Sequence, residues 1–379
     1  MSQSFDAADE RFMWEAIDLA RQGEGYVEPN PMVGCVIVED GEIIGKGFHE
    51  RYGGPHAEVN GLADAGSDRD LSNATIYVTL EPCCHTGKTP PCTRAIIRSG
   101  IRKVVVACED PSDKVAGKGI QALRADGISV SVGVLETEAQ DLIRPFIKVV
   151  TQGLPYVIAK WAMSIDGAIA TSTGESQWIS GPESRLKAHQ LRSRVDAIVV
   201  GHGTLRHDDP SLTTRLPDGQ TCPRQARRVV MVRQSLPESR HRVFHAADAE
   251  PAIVLAPDSL PEASEGSSTD SFELHQVDTT SETFERSTLR KLASLNCTNV
   301  MIEGGGKLLG QFFDQDLVDE IHVYMGPKII GSVKAIRPVG GVGNINLVDC
   351  ELYDLLEVSR LGSDIFARYG RIRSPKESS

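Results

Sequence analysis

Apolar residues in the first third of the chain switch period several times. Phe12, Met13, Ala16, Ile17 and Ala20 recur at helical spacing. Residues 33–38 form a continuous apolar run that reads as a buried strand, and Asp40-Gly41 turns the chain into a second strand over 42–48. The pattern predicts a helix carrying His56 and Glu58, a strand over 75–80, a short helix over 92–98 and a strand over 103–108. Helices over 117–125 and 136–149, with a strand over 128–132 between them, complete a three-layer α/β arrangement.

After Thr151-Gln152-Gly153 the pattern restarts with Pro155 and a strand over 156–161. Domains are therefore expected at 1–150 and 151–373, followed by a disordered tail at 374–379. The second part alternates again: helix 183–192, strands 195–200, 228–232 and 252–256, helix 287–295, strand 299–302, a helix after Gly304-Gly305-Gly306, and strands 320–324 and 352–358. The Ser-, Glu- and Pro-rich stretch 257–270 reads as a surface loop, and there is no internal repeat.

A length of 379 residues suits two domains. The net charge of -12 and an aromatic content of 5% argue against nucleic acid as a partner, since binding it needs a basic groove with stacking rings. Small anionic substrates remain compatible, because a few local Arg and Lys residues outweigh the global charge. The acidic start, Met1 to Glu10, lacks the features of a signal peptide, and no apolar run approaches the ~20 residues of a membrane span. The expectation is a cytoplasmic, homo-oligomeric protein acting on a small molecule, with no membrane partner.

Among eight cysteines, Cys83, Cys84 and Cys92 crowd together, which in a chain of this kind points to metal or catalysis. Pro55-His56-Ala57-Glu58, followed by Glu81-Pro82-Cys83 and then Cys92, is the sharpest chemical signal. One imidazole and two thiolates would hold one Zn2+ and leave its fourth position open for water, whose pKa the metal lowers to roughly 7. Glu58 is then free to move the water's proton to a ring nitrogen and on to leaving ammonia. The competing reading is a closed structural zinc site with Cys84 or His85 as fourth ligand, but it leaves Glu58 and Pro82-Cys83 without a role. Cys83, directly after Pro82, is taken as the ligand in preference to Cys84.

The run from Thr79 through Glu81-Pro82-Cys83-Cys84-His85-Thr86-Gly87-Lys88-Thr89-Pro90-Pro91-Cys92 resembles the deaminase half of the bifunctional riboflavin-biosynthesis deaminase/reductase family. Pro29-Asn30-Pro31-Met32-Val33-Gly34, Gly47-Phe48-His49 and Val115-Ala116-Gly117-Lys118-Gly119 agree. The resemblance implies a cytidine-deaminase-like three-layer α/β/α domain that deaminates 2,5-diamino-6-(5-phosphoribosylamino)pyrimidin-4-one. It makes Asn30, His49, His85, Lys88 and Thr89 substrate contacts.

Lys160-Trp161-Ala162-Met163-Ser164-Ile165-Asp166-Gly167, Gly174 to Ile179, Gly203 to Arg215, Glu303-Gly304-Gly305-Gly306 and Leu317 to Glu320 resemble the reductase half of the same family. That half implies a dihydrofolate-reductase-like α/β domain, NADPH as cofactor and reduction of the ribosyl to a ribityl chain. By resemblance Ser176, Arg192, Leu212, Arg215 and Glu303 face the substrate. Ala162, Trp178, Thr204, Asp208 and the run Gly305, Gly306, Lys307, Leu308, Leu309, Gly310 and Gln311 face the nucleotide. Independently, glycines opening a helix after a strand suit phosphate, although a triple glycine is also an ordinary tight turn. Lys160 is the candidate for polarising the substrate. Ala168, His207 and Val232-Arg233-Gln234-Ser235 depart from the family pattern. Arg233 is either a solvated strand-end residue or a partner for the 2′-phosphate of NADPH. A reductase half that has lost turnover is the alternative function.

Overall fold

The protein was analysed as a computed structural model that describes residues 5–87, 89–113, 115–246, 249–260 and 271–372. Lys88, most of the stretch 257–270 and the tail 374–379 lie outside the described residues. The chain divides into two compact units, Met1–Gly153 and Leu154–Ser379.

The first unit contains α1 (Ala7–Ala20), β1 (Gly34–Glu39), β2 (Glu42–Phe48), α2 (Ala57–Ala65), β3 (Thr75–Leu80), α3 (Cys92–Arg98), β4 (Lys103–Cys108), α4 (Lys118–Ala125), β5 (Ser129–Val132), α5 (Glu136–Leu142) and α6 (Arg144–Gln152). The sheet order is β2-β1-β3-β4-β5. β1 is antiparallel to both neighbours, while β3, β4 and β5 run parallel. Alternate strand residues feed two cores. Cys35, Ile37, Ile76, Val78, Val104 and Val106 pack with α2, α3 and α4. Val36, Val38, Tyr77, Val105 and Ala107 pack with α1 and α5. With both faces covered, the central strands read as unbroken apolar runs.

One expected helix divides. The pattern over 136–149 predicts a single helix, but the structure breaks it at Ile143 between α5 and α6. Pro145 supplies no backbone N–H and sits at the start of α6, where that donor is not needed. His56 also lies one residue outside its expected helix, as the N-cap of α2.

The second unit contains β6 (Tyr156–Ser164), α7 (Pro182–Arg192), β7 (Ala197–Gly201), α8 (His202–Asp208), β8 (Arg227–Met231), β9 (Ala252–Pro257), β10 (Phe272–Val277), α9 (Phe284–Ser294), β11 (Asn299–Ile302), α10 (Gly306–Phe313), β12 (Glu320–Gly326), β13 (Tyr353–Leu361) and β14 (Asp364–Arg371). The sheet order is β10-β9-β8-β7-β11-β6-β12-β14-β13. Strands β10 through β12 are parallel, and β14 and β13 add an antiparallel edge. α9 and α10 bury Phe284, Leu289, Leu292, Leu309 and Phe312 on one face. Leu205 of α8 packs on the other. The sequence pattern misses α8, β10 and β14.

In the first unit α2 lies directly on β2. A Cβ at Gly47 would stand 2.3 Å from both Ala57 O and Gly61 N. That approach sets the position of His56 and Glu58 at the start of α2. Gly47→Ala is expected to destabilise the first unit by about 1–3 kcal/mol, the usual cost of overpacking. Scanning calorimetry would read this as a lowered transition of that unit. An unchanged transition would mean that the helix has slack to move.

Candidate active sites

In the first unit three elements bring the metal ligands together. His56 caps α2, Cys83 follows β3, and Cys92 opens α3. His56 Nδ1 lies 3.6 Å from Cys83 Sγ and 3.2 Å from Cys92 Sγ. Donors at tetrahedral zinc, with bonds of about 2.0–2.3 Å, stand roughly 3.5 Å apart, so this set fits the ion. Among the described residues only these three form such a group, and neither Cys84 nor His85 joins them. The Cys92 N–H donates to Cys83 Sγ at 3.3 Å. Hydrogen bonding from Cys92 and the nearby His56 imidazole pull the Cys83 thiol down to about 4, against the effect of burial. The Cys92 thiol, hydrogen-bonded through its own side chain to Cys83 and buried, is pushed up.

Glu58, in the first turn of α2, is 3% exposed. Burial, reinforced by the Cys83 charge, raises its carboxyl to about 7. Such a group can both accept and return a proton near neutral pH. A cavity of about 510 Å³ joins Asn30, His49, His56, Glu58, Cys83, His85 and Thr89. Within it Asn30 Nδ2 donates to His49 Nε2 at 3.1 Å, while His49 Nδ1 donates to Pro55 O at 2.9 Å. These bonds fix the neutral His49 tautomer, and burial lowers its pKa in the same sense. Thr89 Oγ1 is 3.3 Å from His56 Nε2.

Two residues here escape sequence reasoning as site residues. Asp110 lines the cavity, and burial raises its carboxyl. Glu81, 3% exposed, anchors the ligand loop. One oxygen accepts from the N–H groups of Asp110 at 3.2 Å and Gly117 at 2.9 Å, the other from Gly119 at 2.8 Å and Ile120 at 3.1 Å. The only advance signal was its place beside Pro82-Cys83.

In the second unit the central feature is Glu303, directly after β11. Lys160 Nζ on β6 meets its Oε1 at 2.7 Å. Arg192 Nε and Nη2, at the end of α7, donate to its Oε2 at 3.1 and 2.6 Å, and Arg192 Nη1 donates to Thr213 O at 3.1 Å. Burial alone would raise this carboxyl, but Arg192 and Lys160 overcome it and hold it at about 2. His189, one turn before Arg192, accepts the Arg215 N–H at 3.3 Å. Burial, then the neighbouring Arg192, Arg215 and Lys160 charges, push His189 down to about 4, with Glu303 opposing. Sequence reasoning missed it, although its spacing from Arg192 puts both on one helix face.

The other expected residues separate by environment. Ser176 Oγ donates to Asp208 Oδ1 at 3.0 Å, and the Gly305 N–H donates to Thr204 Oγ1 at 3.0 Å. Ala162 is half-buried on β6, and Arg215 and Lys307 are exposed. Trp178 is exposed, with the Arg185 guanidinium 4.7 Å from its ring centre. Leu212 is a core side chain. The run 305–311 does not present one face: Leu308 and Leu309 enter the core, and the Gly310 Cα packs against Gly341. The N–H groups of Leu308 and Leu309 are spent on Gly305 O. Within this run Lys307 is exposed and Gly305 and Gln311 are half-buried, whereas Gly306 is buried with its Cα against the Arg337 carbonyl. Arg233 is not simply solvated, since it pairs with the buried Glu285.

Because the Glu303 carboxyl is depressed from its ordinary value near 4.5, its contribution to stability is full above that pH. It is lost as pH falls towards about 2. Glu303→Gln is expected to cost about 1–3 kcal/mol at neutral pH by leaving two partly buried cations without their carboxylate. It should also flatten the stability profile of the second unit between pH 4.5 and 2. Calorimetry across that range checks both, and an unaltered slope would show that Glu303 is not the titrating group.

Residues 6–108 match the cytidine and deoxycytidylate deaminase zinc-binding region, and residues 155–367 match the RibD C-terminal domain. The chain is 40% identical to riboflavin biosynthesis protein RibD of Aquifex aeolicus, over 95% of this chain and 99% of that one. It is 36% identical to the Escherichia coli protein of the same name, over 94% and 98%. Its structure resembles Acinetobacter baumannii RibD with a TM-score of 0.85 at 34% identity, covering 97% of this chain and 99% of that chain. It also resembles the diaminohydroxyphosphoribosylaminopyrimidine deaminase/5-amino-6-(5-phosphoribosylamino)uracil reductase of Thermotoga maritima, with a TM-score of 0.82 at 36% identity over 96% and 99%. Both halves of the expected architecture are thus matched in order along the chain, which belongs to the RibD family of bifunctional riboflavin-biosynthesis deaminase/reductases.

Proposed function

We propose that the two steps of this family's chemistry are divided between the two described sites, with domains at about 1–150 and 151–373. In the first, 2,5-diamino-6-(5-phosphoribosylamino)pyrimidin-4-one loses its ring amino group as ammonia. The observation that carries this reading is that Glu58, His56 and Cys83 line one cavity and that the buried Cys92 completes the ligand group with His56 and Cys83. Zinc, when bound, supplies an acidified water as the nucleophile. The carboxylate of Glu58 takes that water's proton, gives it to the ring nitrogen, and so assists departure of ammonia. Asn30, oriented by the neutral His49, reads the pyrimidine edge, and His85, Lys88 and Thr89 meet the remaining polar groups.

In the second unit NADPH, when bound, supplies hydride to C1′ of the opened ribose. Lys160, held in place by Glu303, polarises the substrate. Arg192, Arg215, Ser176, Glu303 and the backbone at Leu212 position the phosphorylated sugar. Gly305, Lys307 and Gln311, with Ala162, Trp178, Thr204 and Asp208, receive the dinucleotide. A supply of NADPH supports a cytoplasmic setting. Among the described residues no helix is long and apolar enough to cross a membrane.

Glu58→Gln is expected to retain one zinc and lose ammonia release by roughly 10²–10⁴-fold, since an amide cannot carry the proton. It should leave reduction of the already deaminated compound intact. The paired loss of Cys83 and Cys92 to alanine should empty the zinc site. Metal analysis, ammonia release and NADPH oxidation, recorded separately, check each point. Full zinc in the double variant would sink the ligand assignment.

β13 is the outermost strand of its sheet and exposes Leu355 and Val358. Leu352, just before it, and Leu347 are exposed as well. An unpaired apolar edge of this kind needs covering, and we assign a second copy of the chain to it. Wild type is expected to sediment as an oligomer, and Leu355→Lys with Val358→Glu as a monomer. Equal masses for both would remove this surface from the assembly.

A further inference from the structure

The second unit holds an open polar cleft, which Lys160, Arg192 and Glu303 do not line. It is a polar cavity of about 470 Å³ walled by Arg233, Ser259, Glu285, Gln311 and Gln315 among others. Arg233 follows β8 and Ser259 follows β9, so the cavity opens at the carboxyl ends of parallel strands, where ligands of such sheets bind. Across the strand order β8-β7-β11-β6, a molecule starting beside Lys160 passes Gly305 after β11 and Thr204 after β7 before reaching Arg233. Three interstrand steps amount to about 14 Å. An extended dinucleotide has the reach to place its nicotinamide at one end of that path and its adenosine ribose at the other.

Glu285 is the residue that sets the chemistry there. It is 2% exposed. One carboxylate oxygen accepts from Arg233 Nη2, and the other accepts from Gln315 Nε2 at 2.8 Å. The Arg233 guanidinium lies 4.7 Å from the Phe284 ring centre and remains about half exposed, at 46%. Glu282, also on the wall, is tied to Arg290 at 2.5 Å. A bare buried carboxylate at this place would accept from a ribose diol and repel a 2′-phosphate. Glu285 has both oxygens engaged, so it does neither. Arg233 spends one nitrogen on Glu285 and keeps a planar fork for a phosphate.

We infer that the Arg233–Glu285 pair determines which nicotinamide dinucleotide is used, with Arg233 cancelling Glu285 and binding the 2′-phosphate of NADPH. The inference rests on the reading of this unit as an NADPH-dependent reductase. The ligand class is an adenosine 2′-phosphate. Removal of Arg233 therefore does more than delete a contact, because it frees a buried acid that favours the unphosphorylated ribose.

The test uses the full-length zinc-loaded protein and calorimetric titration with adenosine 2′,5′-bisphosphate, 5′-AMP, NADPH and NADH. Wild type should prefer the bisphosphate to 5′-AMP. Arg233→Ser should weaken the bisphosphate and NADPH roughly ten- to a hundredfold while leaving 5′-AMP and NADH unchanged or tighter. Adding Glu285→Gln to that variant should recover part of the loss, which a merely structural role for Arg233 does not anticipate. Should Arg233→Ser fold poorly, Arg233→Lys decides the matter: it keeps the charge, loses the fork, and should lose a smaller share of the same preference. An equal change for both fragments, or none for either, in a folded variant would overturn the role of Arg233. Wild type that binds neither NADPH nor NADH would instead overturn the reductase reading beneath it.

Discussion

Each site is organised around a carboxylate that immediately follows a central parallel strand and is withdrawn from water. A charge so placed must be matched, and its partners are thereby fixed in space. After β3, Glu81 is matched by four backbone N–H groups, which tie residues 110–120 to the loop carrying Cys83. After β11, Glu303 is matched by the side chains of Lys160 and Arg192, which ties a strand and a helix to the reacting centre. The first solution uses backbone dipoles in place of cations. The second gathers two cations, Lys160 and Arg192, at one carboxylate. The same constraint, met with different partners, yields a hydrolytic site and a reducing one.

The local chemistry of the first site was legible in the chain because its ligands lie close in sequence and each residue type has few other uses. His56, Glu58, Cys83 and Cys92 span 37 positions, and their spacing carries the ligand geometry. What was not legible depends on partners that come together only through the fold. The donors to Glu81 lie 29 to 39 positions further on and are backbone N–H groups, which no residue type marks. Glu285 stands 52 positions from Arg233, so neither of the two sequence readings of Arg233 included its buried partner.

The same distinction holds for the elements. Continuous apolar runs such as Val229, Val230 and Met231 announced buried parallel strands. β14 mixes Asp364, Arg368 and Arg371 with Ile365 and Phe366, so its apolar signal is weak. α8 is seven residues long and mostly polar, too short for periodicity to register. Leu308 and Leu309 sit in the middle of a stretch expected to meet a ligand, yet a helix with a ligand at its end must bury its opposite face. Membership in a run says less about function than position on the helix surface does.

The strand order of the second sheet has a consequence for how the protein is made. β11 lies between β6 and β7, yet it leaves the ribosome roughly a hundred residues after β7 is complete. At 5–20 residues per second, β6 and β7 spend on the order of 5–20 s with their mutual neighbour still unsynthesised. Over that interval both present apolar, unpaired edges to solvent. The first unit, whose five strands all precede Gly153, is complete before this wait begins. The nascent chain therefore carries a finished zinc-binding unit ahead of an unfinished sheet, and the exposed β6 and β7 are where a chaperone would be needed most.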